Sequence, residues 1–361
     1  MTPTLVIAGG YTAGHITPGL ALAESLASEV RCVFMGAEDG MEATLVASAG
    51  MPFIGVPALP WAGRRPLARA VSLATLIPAV WRARRELKKA GACAVVSLGS
   101  FAALASGLAA WSLGLPVILY ESNTALGLAN RVLQPRARAL LTSRLFDQRI
   151  RSGPQPVMIG VPLRQAMQAL ARQPVVFRPE AMRLLVLGGS LGNPFLNARM
   201  PALMARLART HSGISVIHQC GHAVDAAPIL QAYGAAGVRA EVRPYFDPMA
   251  PAFADVQLVV ATAGAITLHE LAAAGVPALI MPLEGAAARH QHANAFTFTA
   301  LTGCPHVSES TWDDARVAAT LSEMIADAEA WHACSRRLRD FFTPDSAARA
   351  IDVLRPFLKQ R

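Results

Sequence analysis

His15 stands just behind a glycine-rich turn. The stretch LVIAGGYTAGHITPGLALAESL opens with an apolar run, residues 5–8, that Gly9-Gly10 ends, and from Pro18 onward Leu20, Leu22, Ala23 and Leu26 follow a helix-like pattern. A strand, a tight loop and a helix start in that order gather unpaired backbone N–H groups at the positive end of the helix dipole. That makes an anion site, and glycine lets a ligand approach closely. An ordinary βα turn carrying a surface histidine fits the same residues. The spacing Gly9-Gly10-x-x-x-Gly14 departs from G-x-G-x-x-G and so speaks against a dinucleotide.

Three further groups of residues could do chemistry. In ATAGAITLHE, residues 261–270, the small residues Ala263-Gly264-Ala265 leave backbone N–H groups open to a diphosphate, and Thr267 adds a hydroxyl donor. Glu270 lies about one helical turn beyond Ile266, where a carboxylate could accept both hydroxyls of a ribose; a solvated helix residue is the plain alternative. In LEGAAARHQHANA, residues 283–295, His290, Gln291, His292 and Asn294 follow a loop. No carboxylate or cysteine stands at ligand spacing, so a metal is not expected, and Gln291 suits hydrogen bonding to sugar hydroxyls. In YESNTALGLANR, residues 120–131, Glu121 and Asn123 end a strand and could face a polar ligand, while in IGVPLR the Arg164 guanidinium could fork onto phosphate oxygens. In so basic a chain Arg164 is equally a surface arginine. There is no Asp-x-Asp pair to hold a divalent cation, so charge on a leaving group would be met by helix ends and arginine.

The elements that must position these residues are strands of a buried kind. Apolar runs at 5–8, 31–35, 94–98, 117–120, 184–187, 215–218, 258–261 and 278–281 alternate with helical patterns, which predicts α/β layers with helices on both faces of parallel sheets. The Arg-, Gln- and Pro-rich stretch 149–179 marks a passage between two domains, and LLVLGGSLGNPFLN beyond it repeats the opening strand, Gly-Gly, loop and helix. With 361 residues, 53% hydrophobic and 16% charged, the chain is folded rather than disordered and large enough for two cores. The uncharged stretch 90–120 is long enough to span a bilayer but reads better as strand, small-residue helix and strand. Thr311 with Asp314 resembles a capping box, and Asp345 or Ser346 could cap a last helix bearing Ile351, Leu354 and Leu358 on one face.

Five scattered cysteines without metal spacing point to reduced thiols in a cytoplasmic setting, and no signal peptide is expected. A net charge of +9 calls for an anionic partner, and the lack of a nucleic-acid motif together with 6% aromatics sets nucleic acid aside. The segment 61–89 mixes Leu73, Leu76, Ile77, Val80 and Trp81 with Arg64, Arg65, Arg69, Arg82, Arg84 and Arg85. It fits either an anionic membrane surface or a helix packed on the sheet with a charged outer face.

Taken in order, GGYTAGHITPGLALAESL, GMEATLV, GLAAWSLGLPVILYESNTALGLANR, IGVPLR, LGGSLGNPFLN, HQCGH, YFDPMAPAFADVQLVVATAGAITLHELAAAGVPALIMPL and HQHANA resemble the MurG family of glycosyltransferases over nearly the whole chain. The resemblance implies a GT-B fold of two Rossmann-like domains facing across a cleft. Residues 1–162 would form the acceptor- and membrane-facing domain, 163–344 would bind the UDP-sugar, and a C-terminal helix within 345–361 would pack back on the first. It implies transfer of N-acetylglucosamine from UDP-N-acetylglucosamine to the muramyl 4-hydroxyl of lipid I, an inverting reaction without metal or cofactor, at the cytoplasmic face of the inner membrane.

Carried onto matching positions, the donor contacts would be Thr12, Ala13, Gly14, His15, Asn123, Arg164, Ser190, Ala265, Ile266, Thr267, Glu270 and Gln291, with Tyr245 and Met249 closing over the uracil. His15 is the expected general base, since an imidazole titrates near working pH, and Glu121 stands in reserve. Against the family pattern Tyr11 is an extra residue, and Phe101, Tyr120, Thr262 and Ala288 replace a tyrosine, a histidine, an arginine and an aspartate. Two other readings stay open: a non-catalytic membrane-surface paralogue that keeps nucleotide-sugar binding, and a GT-B enzyme with another acceptor.

Overall fold

A computed structural model of the chain describes residues 2–58, 66–285 and 289–358. Trp61, Arg64, Arg65 and Ala288 lie outside the described residues. The chain divides into two compact units, Met1–Arg164 with Asp345–Arg361, and Gln165–Pro344.

The first unit is built on β1 (Thr4–Ala8), β2 (Arg31–Ala37), β3 (Phe53–Val56), β4 (Ala92–Ser97), β5 (Val117–Glu121), β6 (Ala139–Thr142) and β7 (Pro156–Met158). All pair in parallel in the order β3-β2-β1-β4-β5-β6-β7. Every residue of β1 and of β5 is buried, because helices cover both sheet faces, and continuous apolar runs are the sequence of such strands. The helices are α1 (Thr17–Leu26), α2 (Met41–Ser48), α3 (Pro66–Ala90), α4 (Phe101–Ser112) and α5 (Leu128–Leu133).

The long uncharged stretch resolves into β4, α4 and β5. Its small residues serve close packing: a Cβ on Gly107 of α4 would lie 2.5 Å from Leu133 Cδ1 on α5. No helix of the described residues is long and apolar enough to cross a membrane.

The second unit holds α6 (Gln165–Ala171), β8 (Arg183–Leu187), α7 (Pro194–Ala208), β9 (Ser215–Gln219), α8 (Ala227–Ala235), β10 (Arg239–Arg243), β11 (Leu258–Thr262), α9 (Ala265–Ala274), β12 (Ala278–Met281), α10 (Arg289–Thr302), α11 (Asp314–Ala326) and α12 (Ala328–Phe341). Its parallel sheet runs β10-β9-β8-β11-β12, which repeats the β3-β2-β1-β4-β5 order of the first unit. Each order reverses at one place, between β1 and β4 and between β8 and β11. Outside the carboxyl ends of those strands an open α/β sheet forms its binding crevice.

Two caps differ from expectation. Asp313, not Thr311, caps α11: its Oδ1 accepts from Arg316 N–H at 2.7 Å, while Thr311 lies in the short 3₁₀ turn Glu309–Thr311. At α13 (Ser346–Leu354) the Asp345 carboxylate pairs with Arg349 at 2.8 Å instead of capping, and the Ser346 hydroxyl donates to the Val161 carbonyl at 2.9 Å. Val161 and α13 belong to the first unit, where α13 packs on α1.

Candidate active site

In the first unit the loop between β1 and α1 meets the loop after β4. Backbones come close enough there that a Cβ on Gly9 would overlap the His15 carbonyl oxygen, and one on Gly99, at φ +91, would lie 3.1 Å from His15 Cε1. Gly9 makes room for the His15 backbone and Gly99 for its ring. His15 N–H closes a turn onto the Thr12 carbonyl at 3.0 Å, and Nδ1 lies 2.7 Å from the Leu98 carbonyl oxygen. A carbonyl only accepts, so the hydrogen-bond partner assigns the proton to Nδ1, and the neutral ring carries its lone pair on Nε2. Tyr11, the extra residue, takes the left-handed conformation at φ 75 and leaves its side chain 57% exposed. Thr12, Gly14 and His15 are half-buried behind it.

Glu121 and Asn123 come together at the end of β5 and bond to each other. The buried Glu121 carboxylate accepts from four donors: Asn123 N–H at 3.2 Å, Asn123 Nδ2 at 2.8 Å, Gly127 N–H at 2.9 Å and Asn130 Nδ2 at 3.2 Å. A carboxyl group engaged on both oxygens anchors its loop. Arg164 is not a loose surface arginine: its Nε donates to Glu24 Oε1 of α1 at 2.8 Å, and both side chains are about two-thirds covered.

In the second unit the turn after β8 is as tight as the first. A Cβ on Gly188 would lie 2.7 Å from Asn193 N, and one on Gly192 would overlap the Cys220 carbonyl. Asn193 caps α7 by accepting from Leu196 N–H at 3.0 Å. Gln219, at the end of β9, ties two loops together: Nε2 donates to the Gly189 carbonyl at 3.1 Å and Oε1 accepts from Phe246 N–H at 3.0 Å. His222 does the same for Ser190 and Tyr245, donating its N–H to the Ser190 carbonyl at 3.0 Å with its ring 5.7 Å from the tyrosine ring. Met249 is half-buried at the entry of the 3₁₀ turn Ala250–Phe253.

Helix α9 starts at Ala265 behind Gly264, with no side chain capping it. The first N–H groups of a helix have no partner within it, so Ala265, Ile266 and Thr267 present the donors and the dipole that suit phosphate. Thr262 lies just below, its Oγ1 3.5 Å from the Leu187 carbonyl of β8. One turn into α9, Glu270 is only 8% exposed, and burial pushes its carboxyl pKa from 4.5 up to about 8. Gln291 on α10 accepts Leu283 N–H at 3.1 Å through Oε1, and the buried Asn294 donates to the Ala263 carbonyl at 3.1 Å. His292 pairs with Glu284 at 3.6 Å, and among the described residues no group of three His, Cys, Asp or Glu could hold a metal ion.

The structure thus adds Gln219, His222, Asn130 and Glu42, whose carboxylate accepts from Tyr11 N–H, to the residues singled out from sequence. GMEATLV and HQCGH hold three of them, but nothing in either motif told which loop each would reach.

Two parallel-sheet units, each with a glycine-rich turn at the point where its strand order reverses, make up the GT-B fold, and the chain's matches place it among the glycosyltransferases of that fold. Residues 5–142 match the glycosyltransferase family 28 N-terminal domain and 183–349 its C-terminal domain. A relative from Aeromonas hydrophila is 35% identical over 355 residues, 98% of this chain and 96% of its own length. Its name is UDP-N-acetylglucosamine--N-acetylmuramyl-(pentapeptide) pyrophosphoryl-undecaprenol N-acetylglucosamine transferase. One of the same name from Alkalilimnicola ehrlichii is 34% identical over 349 residues, 96% of each chain. The crystal structure of Acinetobacter baumannii MurG has the same fold, with a TM-score of 0.75 at 24% identity over 99% of this chain and 100% of that one. The chain belongs to glycosyltransferase family 28.

Proposed function

We propose that this glycosyltransferase moves N-acetylglucosamine from UDP-N-acetylglucosamine to the muramyl 4-hydroxyl of lipid I, with inversion and without a metal, making lipid II for peptidoglycan. The substrates are those in its relatives' names. The observation that carries the chemistry is the His15 imidazole, pinned at Nδ1 by the Leu98 carbonyl. With Nδ1 committed, Nε2 takes the proton of the acceptor hydroxyl as its oxygen bonds to the anomeric carbon. The bond from that carbon to the diphosphate oxygen breaks on the opposite face, and UDP leaves carrying the negative charge.

Donor recognition is assigned to groups suited to each part of UDP-N-acetylglucosamine. Tyr245 and Met249 cover the uracil, and Glu270 accepts from the ribose hydroxyls. Ser190 and the N–H groups of Ala265, Ile266 and Thr267 meet the diphosphate, with Arg164 adding positive charge. Gln291, whose Oε1 is taken by Leu283 N–H, meets the sugar through its Nε2 donors. Thr12, Ala13, Gly14 and Asn123 complete the set. Incubating the purified protein with UDP-N-acetylglucosamine and a short-chain lipid I analogue should yield the disaccharide product. Donor binding without product would favour a non-catalytic paralogue, and UDP release with a different acceptor only would reassign the substrate.

A lipid-linked acceptor supports a peripheral position at the cytoplasmic face of the inner membrane. Ile77 and Trp81 on α3 are 66% and 70% exposed, and Arg82, Arg84 and Arg85 follow directly. Arg84 donates to the Ser112 carbonyl at 2.8 Å, and Arg136 covers the ring of Trp111 at 4.8 Å, so apolar and cationic groups continue across the end of α4. Such a surface binds anionic lipid through ring insertion and through about 1 kcal/mol for each basic residue. Trp81→Glu is expected to lower cosedimentation with anionic vesicles about tenfold, with transfer to a water-soluble acceptor analogue unchanged. Equal binding of both proteins to vesicles would remove this surface from the proposal.

A further inference from the structure

Glu42 is a fully buried carboxylate in the first turn of α2, and three glycines from separate places make the space for it. A Cβ on Gly10 would overlap Oε1, one on Gly40 would overlap Oε2, and one on Gly36 would lie 2.6 Å from Cγ. Its two oxygens serve two different loops. Oε1 accepts from Ala37 N–H, at the end of β2, at 2.8 Å, and Oε2 accepts from Tyr11 N–H at 3.2 Å. Burying a carboxylate is costly unless it is hydrogen-bonded, and no apolar residue could bridge these two amides.

Tyr11 is where such a bridge is needed. A non-glycine residue at φ 75 is strained and persists only where its surroundings hold it. Gly10 before it leaves room for the Glu42 carboxylate, and the Thr12–His15 turn after it is closed by its own hydrogen bond. The loop is therefore fastened at both ends, by Glu42 at Tyr11 and by Leu98 at His15. We infer that Glu42 is a positioning residue for glycosyl transfer, absorbing the extra residue Tyr11 so that the 9–16 loop presents the His15 imidazole in a fixed place. This rests on the assignment of His15 as the base.

Glu42→Gln keeps the shape that the glycines accommodate but turns one acceptor into a donor, so one of the two amides loses its partner. The expected result is a fall in kcat of about 10- to 100-fold, the scale of a misplaced catalytic group, with KM for UDP-N-acetylglucosamine within about twofold. Hydrogen exchange at the Tyr11 amide should quicken, and His15→Ala/Glu42→Gln should be no slower than His15→Ala alone. A kcat within twofold of wild type, or the same proportional loss in the His15→Ala background, overturns the inference. Glu42→Asp, which keeps the charge but cannot span both amides, carries the same expectation if the glutamine variant does not fold. Near-normal turnover in His15→Ala would sink the base assignment instead, and the clamp would then stand or fall on the Glu42→Gln kcat and the Tyr11 exchange rate.

Discussion

His15→Ala is expected to lower kcat for transfer to a lipid I analogue by about 10²- to 10⁴-fold, the range that a general base contributes. UDP-N-acetylglucosamine affinity should fall far less, because most of the proposed donor contacts lie elsewhere. Loss of the ring removes two things at once, the Nε2 lone pair and the Nδ1–H bond to Leu98. His15→Asn separates them, since its amide can still donate to the Leu98 carbonyl while offering no base at the Nε2 position. A loss in His15→Asn matching that in alanine assigns the effect to proton transfer, and turnover restored by asparagine would make His15 a scaffold residue only.

The sheet interiors were legible because burial on both faces leaves an unbroken apolar run, as in residues 5–8, 184–187 and 258–261. Strands at the margins leave no such mark. Edge strand β10 reads Arg239-Ala-Glu241-Val-Arg243, charged along one side, and edge strand β7 exposes all three of its residues. Edge strand β3 is four residues long with Gly55 within it. β6 is buried throughout, but Arg136, Arg138 and Arg144 crowd its apolar run and keep it from standing out.

The candidate site divides along a similar line. Its chain-local parts, the glycine turns and the start of α9, follow from residue types at fixed spacing. The parts that depend on remote partners could not be read: Glu42 needs Gly10 and Gly36, Gln219 needs the 189 and 246 backbones, and the four donors on Glu121 come from Asn123, Gly127 and Asn130. Tyr11 disturbs the motif by one letter, yet His15 still reaches Leu98, because a bulged residue with an anchored amide leaves the following turn in register.

Glu270→Gln is expected to stabilise the protein in alkali while weakening donor binding. Burial raises the Glu270 pKa from 4.5 to about 8, so between those values the folded chain binds a proton that the unfolded chain has released. Stability from this group is full below pH 4.5 and is lost as pH rises through about 8; a shift of that size corresponds to about 5 kcal/mol. Glutamine has no proton to lose. Thermal unfolding of the two proteins should therefore coincide near pH 4.5 and separate by several degrees at pH 9, with Glu270→Gln the more stable; equal midpoints at pH 9 would rule out the buried acid. Ribose hydroxyls donating to this group favour its ionised form, so donor binding at pH 7 should expel a proton. Affinity should then climb with pH, approaching tenfold per unit, until it levels off near 8. Calorimetry in two buffers of different ionisation enthalpy measures that proton directly. Release close to one for wild type and zero for Glu270→Gln supports the ribose contact, and zero release in both would take Glu270 out of the donor site.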